Sequence, residues 1–130
     1  MKATIKVCAA AIIKQSKVLL TRRAASEEMG GGWEFPGGKI EADETPEECV
    51  LREIREELAI DIEVDSFCTN VQYEYESFFL DMDVYYCRIS EGTIGISVHD
   101  KFVWAEIDRL LSFDLLPADI LVAKKIISRE

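Results

Sequence analysis

The chain has 130 residues, 48% of them hydrophobic, and a formal net charge of −10. That length fits one domain, and that apolar content supplies a core and excludes a disordered chain. The acidic balance excludes nonspecific binding to a nucleic-acid backbone, which needs a basic surface, but not a nucleotide that arrives with metal ions.

Residues 4–13 and 17–22 are apolar and β-branched, and Lys14-Gln15-Ser16 between them reads as a turn joining two strands. The run VCAAAII follows Lys2 and Lys6 and is cut by Lys14, which suits a strand better than a signal peptide. Residues 24–32 end in MGGG and read as a flexible loop. Trp33 to Phe35 reads as a short strand stopped by Pro36-Gly37-Gly38. A helix should follow at about 45–58. Thr45 caps it, Pro46 suits the first helical position, and Glu48 completes a capping box. Residues 62–75 and 78–89 alternate as two longer strands, and 101–106 as a short one. Leu116-Pro117 introduces a last amphipathic helix with Ile120, Leu121, Ala123 and Ile127 on its apolar side. Strands, helix, strands, helix in that order imply a mixed β-sheet covered by helices on both faces.

No run approaches membrane-spanning length. Cys8, Cys49, Cys68 and Cys87 have no metal-ligand spacing and read as free, buried thiols of a reducing compartment, which points to the cytoplasm.

The charge is local. Residues 38–60 hold eight acids and three bases, so half of the net charge sits in 23 residues. On the first helix, Val50, Leu51, Ile54 and Leu58 form an apolar arc. Glu53, Glu56 and Glu57, at i, i+3 and i+4, form a second arc roughly 120° away. Three like charges on one face repel unless something positive sits among them. Hard divalent cations prefer such oxygen donors, and Mg²⁺ is commonly held by a few carboxylates plus substrate phosphates. The plain alternative is a solvated charged helix with an Arg52–Glu56 pair.

The segment Gly38 to Ile60, GKIEADETPEECVLREIREELAI, resembles the signature of the Nudix hydrolases. That pattern is Gly, five residues, Glu, seven residues, then Arg-Glu-apolar-any-Glu-Glu-any-Gly-apolar. Gly38, Glu44, Arg52, Glu53, Ile54, Glu56, Glu57 and Ile60 fall on it, and Ala59 stands where the family usually has glycine. VLLTRRA, WEFPGGK and LLPADI resemble the MutT-type branch, which hydrolyses nucleoside triphosphates. The resemblance implies an α+β fold, the Nudix-like α/β/α sandwich, over the whole chain as one domain.

It also implies roles. Glu53, Glu56 and Glu57 would bind Mg²⁺ or Mn²⁺, a carbonyl at Gly37 or Gly38 would add a ligand, Glu44 would support them, and Arg52 would orient the glutamates. MutT-like enzymes often use a further acid on the loop before the strand at 102–104, and Val98 stands at that position here. His99 and Asp100 are adjacent. Histidine is the residue type suited to proton transfer at neutral pH, so His99 is a candidate general base, with Glu53 or Glu56 as alternatives. For the base, the resemblance points to Arg23, Phe35 and Asp119. Asp119 lies where purine-specific relatives carry Asn. An ionised Asp accepts hydrogen bonds and suits an exocyclic amino group, as on cytosine or guanine. Tyr73, Tyr75, Phe78 and Phe79 are strand residues of which some, Phe78 among them, can line the pocket.

The expected activity is Mg²⁺-dependent hydrolysis of a nucleoside triphosphate to a monophosphate and pyrophosphate. The rival substrates are (d)CTP or 5-substituted cytidine nucleotides and 8-oxo-dGTP. The expected partner is a small nucleotide, with no nucleic-acid polymer or membrane, in a monomer or homodimer. A Nudix-fold module that senses nucleotides without turnover is the alternative.

Overall fold

A computed structural model describes residues 2–25 and 30–129. The elements in chain order are β1 (Ala3–Lys14), β2 (Lys17–Arg23), β3 (Trp33–Glu34), β4 (Gly37–Lys39), α1 (Pro46–Leu58), β5 (Asp61–Glu74), β6 (Phe78–Glu91), β7 (His99–Glu106), a short 3-10 helix (Ile107–Ser112) and α2 (Pro117–Arg129). The loop expected at 24–32 lies partly outside the described residues.

β1 organises the sheet, whose order is β3-β2-β1-β6-β5, with β4 also on β1 and β7 on β2. β1 runs parallel to β6 from Ala3 opposite Phe78 to Ile12 opposite Cys87, while its other neighbours are antiparallel. The sheet is therefore mixed. Gln15 and Ser16 both have positive φ (51° and 65°), so β1 and β2 join through a tight turn of the kind whose twist matches the strands. Side chains alternate along β1. Cys8, Ala10 and Ile12 face a core with Val50, Ile54 and Leu58 of α1, and Ala9 and Ala11 face a second core with Ala118, Val122 and Ile126 of α2. One helix thus covers each face, which is the expected α/β/α sandwich.

Three details differ from the sequence expectation. Pro36-Gly37-Gly38 does not end the strand region, because Gly37–Lys39 pairs with Val7–Ala9 of β1. Gly37 can do so only without a side chain, since a Cβ there would press on the Cys8 carbonyl and lie 2.7 Å from the Ala9 Cα. On α1, Leu51 is 41% exposed and Cys49 takes its place in the buried stripe. At about 100° per residue, Glu53 and Glu57 then fall between Cys49 and Val50, inside that stripe rather than beside it. On α2 the buried residues are Ala118, Asp119, Val122, Ala123 and Ile126, an i, i+4 stripe that leaves Leu121 42% exposed.

The α1 cap is as expected. The Glu48 N–H donates to Thr45 Oγ1 at 3.1 Å and the Thr45 N–H to Glu48 Oε1 at 2.8 Å. The helix ends at Ala59, which adopts φ 58° and donates its N–H to the Arg55 carbonyl. All four cysteines are free and buried. No helix among the described residues is long and apolar enough to cross a membrane.

Candidate active site

α1 presents its carboxylates to the strand that follows the WEF segment, and Arg52 sits among them. Its Nε and Nη2 donate to the two oxygens of Glu44 at 2.9 and 2.7 Å, and its Nη1 donates to Glu53 Oε2 and Glu56 Oε1, both at 3.0 Å. Arg52 also donates to the Lys39 carbonyl at 3.1 Å, which ties α1 to β4. The guanidinium is therefore the first positive charge among the glutamates. It holds the Glu44 carboxyl down at about 2, helped by the Glu41 N–H.

Glu53 and Glu57 are different, because their positions on α1 turn them inward. Burial raises the Glu53 pKa, and Arg52 opposes the rise. Burial pushes Glu57 up to about 7, against the attraction of His99. Glu57 Oε1 is buried with no hydrogen-bond partner among the described residues, which is costly unless something positive satisfies it. Gly38 completes this corner. A Cβ on it would lie 2.5 Å from both Glu53 oxygens, so the carboxylate rests where a side chain would otherwise be. The Gly38 carbonyl has a weak contact from the Cys49 thiol at 3.7 Å.

This corner suits a divalent cation by its chemistry. It offers hard oxygen donors, an unpartnered buried carboxylate oxygen, and a side-chain-free floor. Among the described residues, no three His, Cys, Asp or Glu side chains stand as a ready cage. Such a site relies on water and substrate oxygens to complete the coordination, as Mg²⁺ sites with one or two carboxylates do.

From Gly37 and Gly38 a cleft of about 110 Å³ runs between the sheet and the start of α2, lined among others by Arg23, Glu34, Phe35, Tyr75, Phe78 and Asp119. Phe78 stacks on Tyr75 with ring centres 5.0 Å apart. The Tyr75 hydroxyl accepts the Ala118 N–H at 3.2 Å, fixing the aromatic wall to α2. Phe35 is only 3% exposed, so its ring belongs to the core. Phe35 also borders the cleft, and its N–H donates to Asp119 Oδ1 at 2.9 Å. Phe79 is exposed under the Lys2 ammonium, 5.3 Å from it, and does not line the cleft.

Asp119 differs from the ionised acceptor expected of it. It is 6% exposed, and burial pushes its carboxyl up to about 8 despite the Phe35 N–H. Burial thus favours the neutral acid, in which one oxygen accepts from Phe35 and an O–H is left to donate. A protonated Asp thus carries both donor and acceptor, as an Asn amide does.

His99 also differs. It is the first residue of β7 rather than part of an open loop, its side chain is 3% exposed, and its Nε2 lies 2.9 Å from Glu34 Oε2. The ring is thus buried against Glu34 and does not line the cleft. Asp100 beside it forms a two-point bond with Arg22, and Val98 is exposed. Glu34 was not singled out by sequence. It accepts from Arg23 Nε at 3.0 Å as well as facing His99. The available signal was a lone charge between Trp33 and Phe35, where an apolar strand residue would otherwise stand.

The chain belongs to the NUDIX family, whose domain matches residues 4–126, and it is a MutT-like Nudix hydrolase. It is 35% identical over 116 residues to the CTP pyrophosphohydrolase of Escherichia coli K12, covering 89% of this chain and 86% of that one. It is 32% identical over 113 residues to the 8-oxo-dGTP diphosphatase of the same organism, covering 87% and 88%. The crystal structure of a MutT NUDIX hydrolase from Burkholderia pseudomallei superposes with a TM-score of 0.86 at 26% identity, over 95% of this chain and 98% of that one.

Proposed function

We propose that the protein hydrolyses nucleoside triphosphates to monophosphate and pyrophosphate, with cytidine nucleotides as its first substrates and 8-oxo-dGTP as the rival. The observation that carries this reading is the continuity of the cleft. A small ring-sized recess at Asp119, Tyr75 and Phe78 reaches Gly37 and Gly38, and the Glu53 carboxylate lies against Gly38. At about 110 Å³ it is well below the roughly 300–1,000 Å³ of drug-sized pockets, so it takes the base and leaves the phosphates to the glutamates.

Glu53, Glu56 and Glu57, with the carbonyls at Gly37 and Gly38, would hold Mg²⁺ or Mn²⁺; Nudix hydrolases generally use a divalent metal. Bound there, the ion would neutralise charge on the phosphates and stabilise the charge that develops as a P–O bond breaks. The protein's own part is positional. Arg52 keeps Glu53 and Glu56 fixed, Glu44 keeps Arg52 fixed, and the Phe35 backbone keeps the Asp119 carboxyl aimed. The Asp119 O–H and Arg23 then supply donors to a base carbonyl or ring nitrogen. The similarity to a CTP pyrophosphohydrolase puts cytidine first. The four reduced thiols support a cytoplasmic setting.

Pyrophosphate release from CTP, dCTP, 5-methyl-dCTP, 8-oxo-dGTP, dGTP and ADP-ribose in Mg²⁺, beside Glu57→Gln, tests this. Release from a cytidine nucleotide that the variant loses is expected. Silence on all the triphosphates would overturn the reading.

A further inference from the structure

His99 is a buried polar side chain beside the cleft, yet it does not line it. A β-bulge puts it there. β2 pairs with β7 in step from Lys17 opposite Glu106 to Arg22 opposite Lys101, and the next pair is Arg23 opposite His99. The skipped residue is Asp100. The bulge turns Asp100 outward to Arg22 and His99 inward, a re-aiming of the sort bulges make beside active sites.

The inward ring starts a chain of contacts that ends at the cleft. His99 Nε2 meets Glu34 Oε2 at 2.9 Å, and Glu34 Oε1 meets Arg23 Nε at 3.0 Å. Exposure rises along it, from 3% for the His99 side chain to 13% for Glu34 and 39% for Arg23. Glu34 pairs with Thr21 on a strand of two residues, so β2 sets its backbone while its carboxylate reaches His99 on one side and Arg23 on the other. Among the described residues, His99 meets one carboxylate oxygen of Glu34 and Arg23 the other. If the imidazole is removed, the covered Oε2 loses its donor, and a covered oxygen without a donor favours turning out to water. Glu34 would then carry the Arg23 contact with it.

We propose that His99 is a positioning residue for the nucleotide end of the cleft. It holds Glu34 from inside the protein, and Glu34 sets Arg23 across the cleft mouth. The bond needs hydrogen on Nε2, and the other ring nitrogen, Nδ1, is buried without a partner among the described residues. The ring is thus oriented by Glu34 and by packing. This inference rests on the reading that the cleft takes the base of a nucleotide, and its effect falls on binding rather than on phosphoryl chemistry.

The test compares steady-state kinetics on CTP for the wild type, His99→Leu, His99→Gln, Glu34→Ala and the Leu/Ala double variant, with ¹⁵N imidazole spectra of the folded proteins. Gln keeps a donor near the Nε2 position and Leu does not. His99→Leu should raise KM about fivefold with kcat within about twofold, and His99→Gln should restore KM. The double variant should be no worse than Glu34→Ala, because one contact is lost in both. A fall in kcat at unchanged KM, or additive losses, would overturn the proposal. If CTP is not a substrate, the proposed activity fails separately, and the spectra still decide the bridge. The same holds if His99→Leu does not fold. A slowly exchanging Nε2 proton that disappears in Glu34→Ala supports the bridge, and one unchanged by that substitution overturns it.

Discussion

The Glu53 carboxylate occupies the space that a side chain at Gly38 would fill, with both oxygens 2.5 Å from the ideal Cβ position. Gly38→Ala therefore moves a flexible carboxylate, not backbone. The expected result is a fall of about 100-fold in kcat/KM with a small change in stability. Gly37→Ala is the contrast, because its Cβ presses on β1 backbone. It should cost about 1–3 kcal/mol and lower the melting temperature. Urea melts beside turnover measurements separate the two. Equal stability losses would show that Gly38 is needed for the strand and not for Glu53.

Arg52 is expected to matter through its fork. It reaches Glu44 with two nitrogens and Glu53 and Glu56 with a third, and a lysine ammonium cannot reproduce that geometry. Arg52→Lys should lower kcat/KM by about 10–100-fold. The pH dependence has a definite sign. Glu44 is held at about 2 in the fold against an ordinary 4.5, so its pairing stabilises the protein above pH 4.5 and is lost as pH falls toward 2. The stability gap between wild type and Arg52→Leu should be widest at neutral pH and close by about pH 2. Urea titrations at pH 2, 4 and 7 measure it, and a gap independent of pH would remove Glu44 from the account.

Ala59 ends α1 with φ 58°, a left-handed conformation that costs an L-residue roughly 1–2 kcal/mol and glycine almost nothing. Part of the gain is offset by the greater freedom of glycine in the unfolded chain. Ala59→Gly should stabilise the protein by about 0.5–1 kcal/mol and leave turnover unchanged. Thermal melts check it, and destabilisation would mean that packing of the alanine methyl outweighs the strain.

Local chemistry was the legible part of this molecule. The Thr45–Glu48 capping box and the Pro46 start each depend on neighbours within four residues, and they appear in the structure as read. The resemblance likewise implied that Arg52 orients the glutamates, and the structure pairs it with Glu44, Glu53 and Glu56. What was missed depends on the sheet. Placing His99 in an open loop ignored a bulge at Asp100 that only pairing with β2 creates. Glu34 has no periodic signal on a strand of two residues. On α2, Ala123 is buried and Ile120 and Ile127 pack against the core as read, whereas Leu121 faces outward and Asp119 joins the buried stripe.

Asp119 provides the sharpest test of that burial. Its carboxyl is pushed from 3.8 to about 8 because the charged form is desolvated. A raised carboxylate pKa means that the folded state holds a proton the unfolded chain has released. Between pH 4 and 8 the protein therefore loses stability as pH rises. Glu57, pushed up to about 7 by burial, adds to the same slope, while Glu44 acts only at lower pH. Asn at 119 keeps an oxygen to accept the Phe35 N–H and cannot ionise. Asp119→Asn should flatten the stability profile between pH 5 and 8 and be more stable than the wild type at pH 8. It should also keep activity at pH 7, because an amide supplies the same donor and acceptor pair as the protonated acid. Urea melts at pH 5, 6.5 and 8, with the ratio of kcat/KM for CTP and 8-oxo-dGTP at pH 7, measure both effects. An unchanged pH slope would place an ionised Asp119 in the cleft. The exocyclic amino group of the base would then be its partner, and the ratio should shift strongly against the nucleotide whose amino group it accepts.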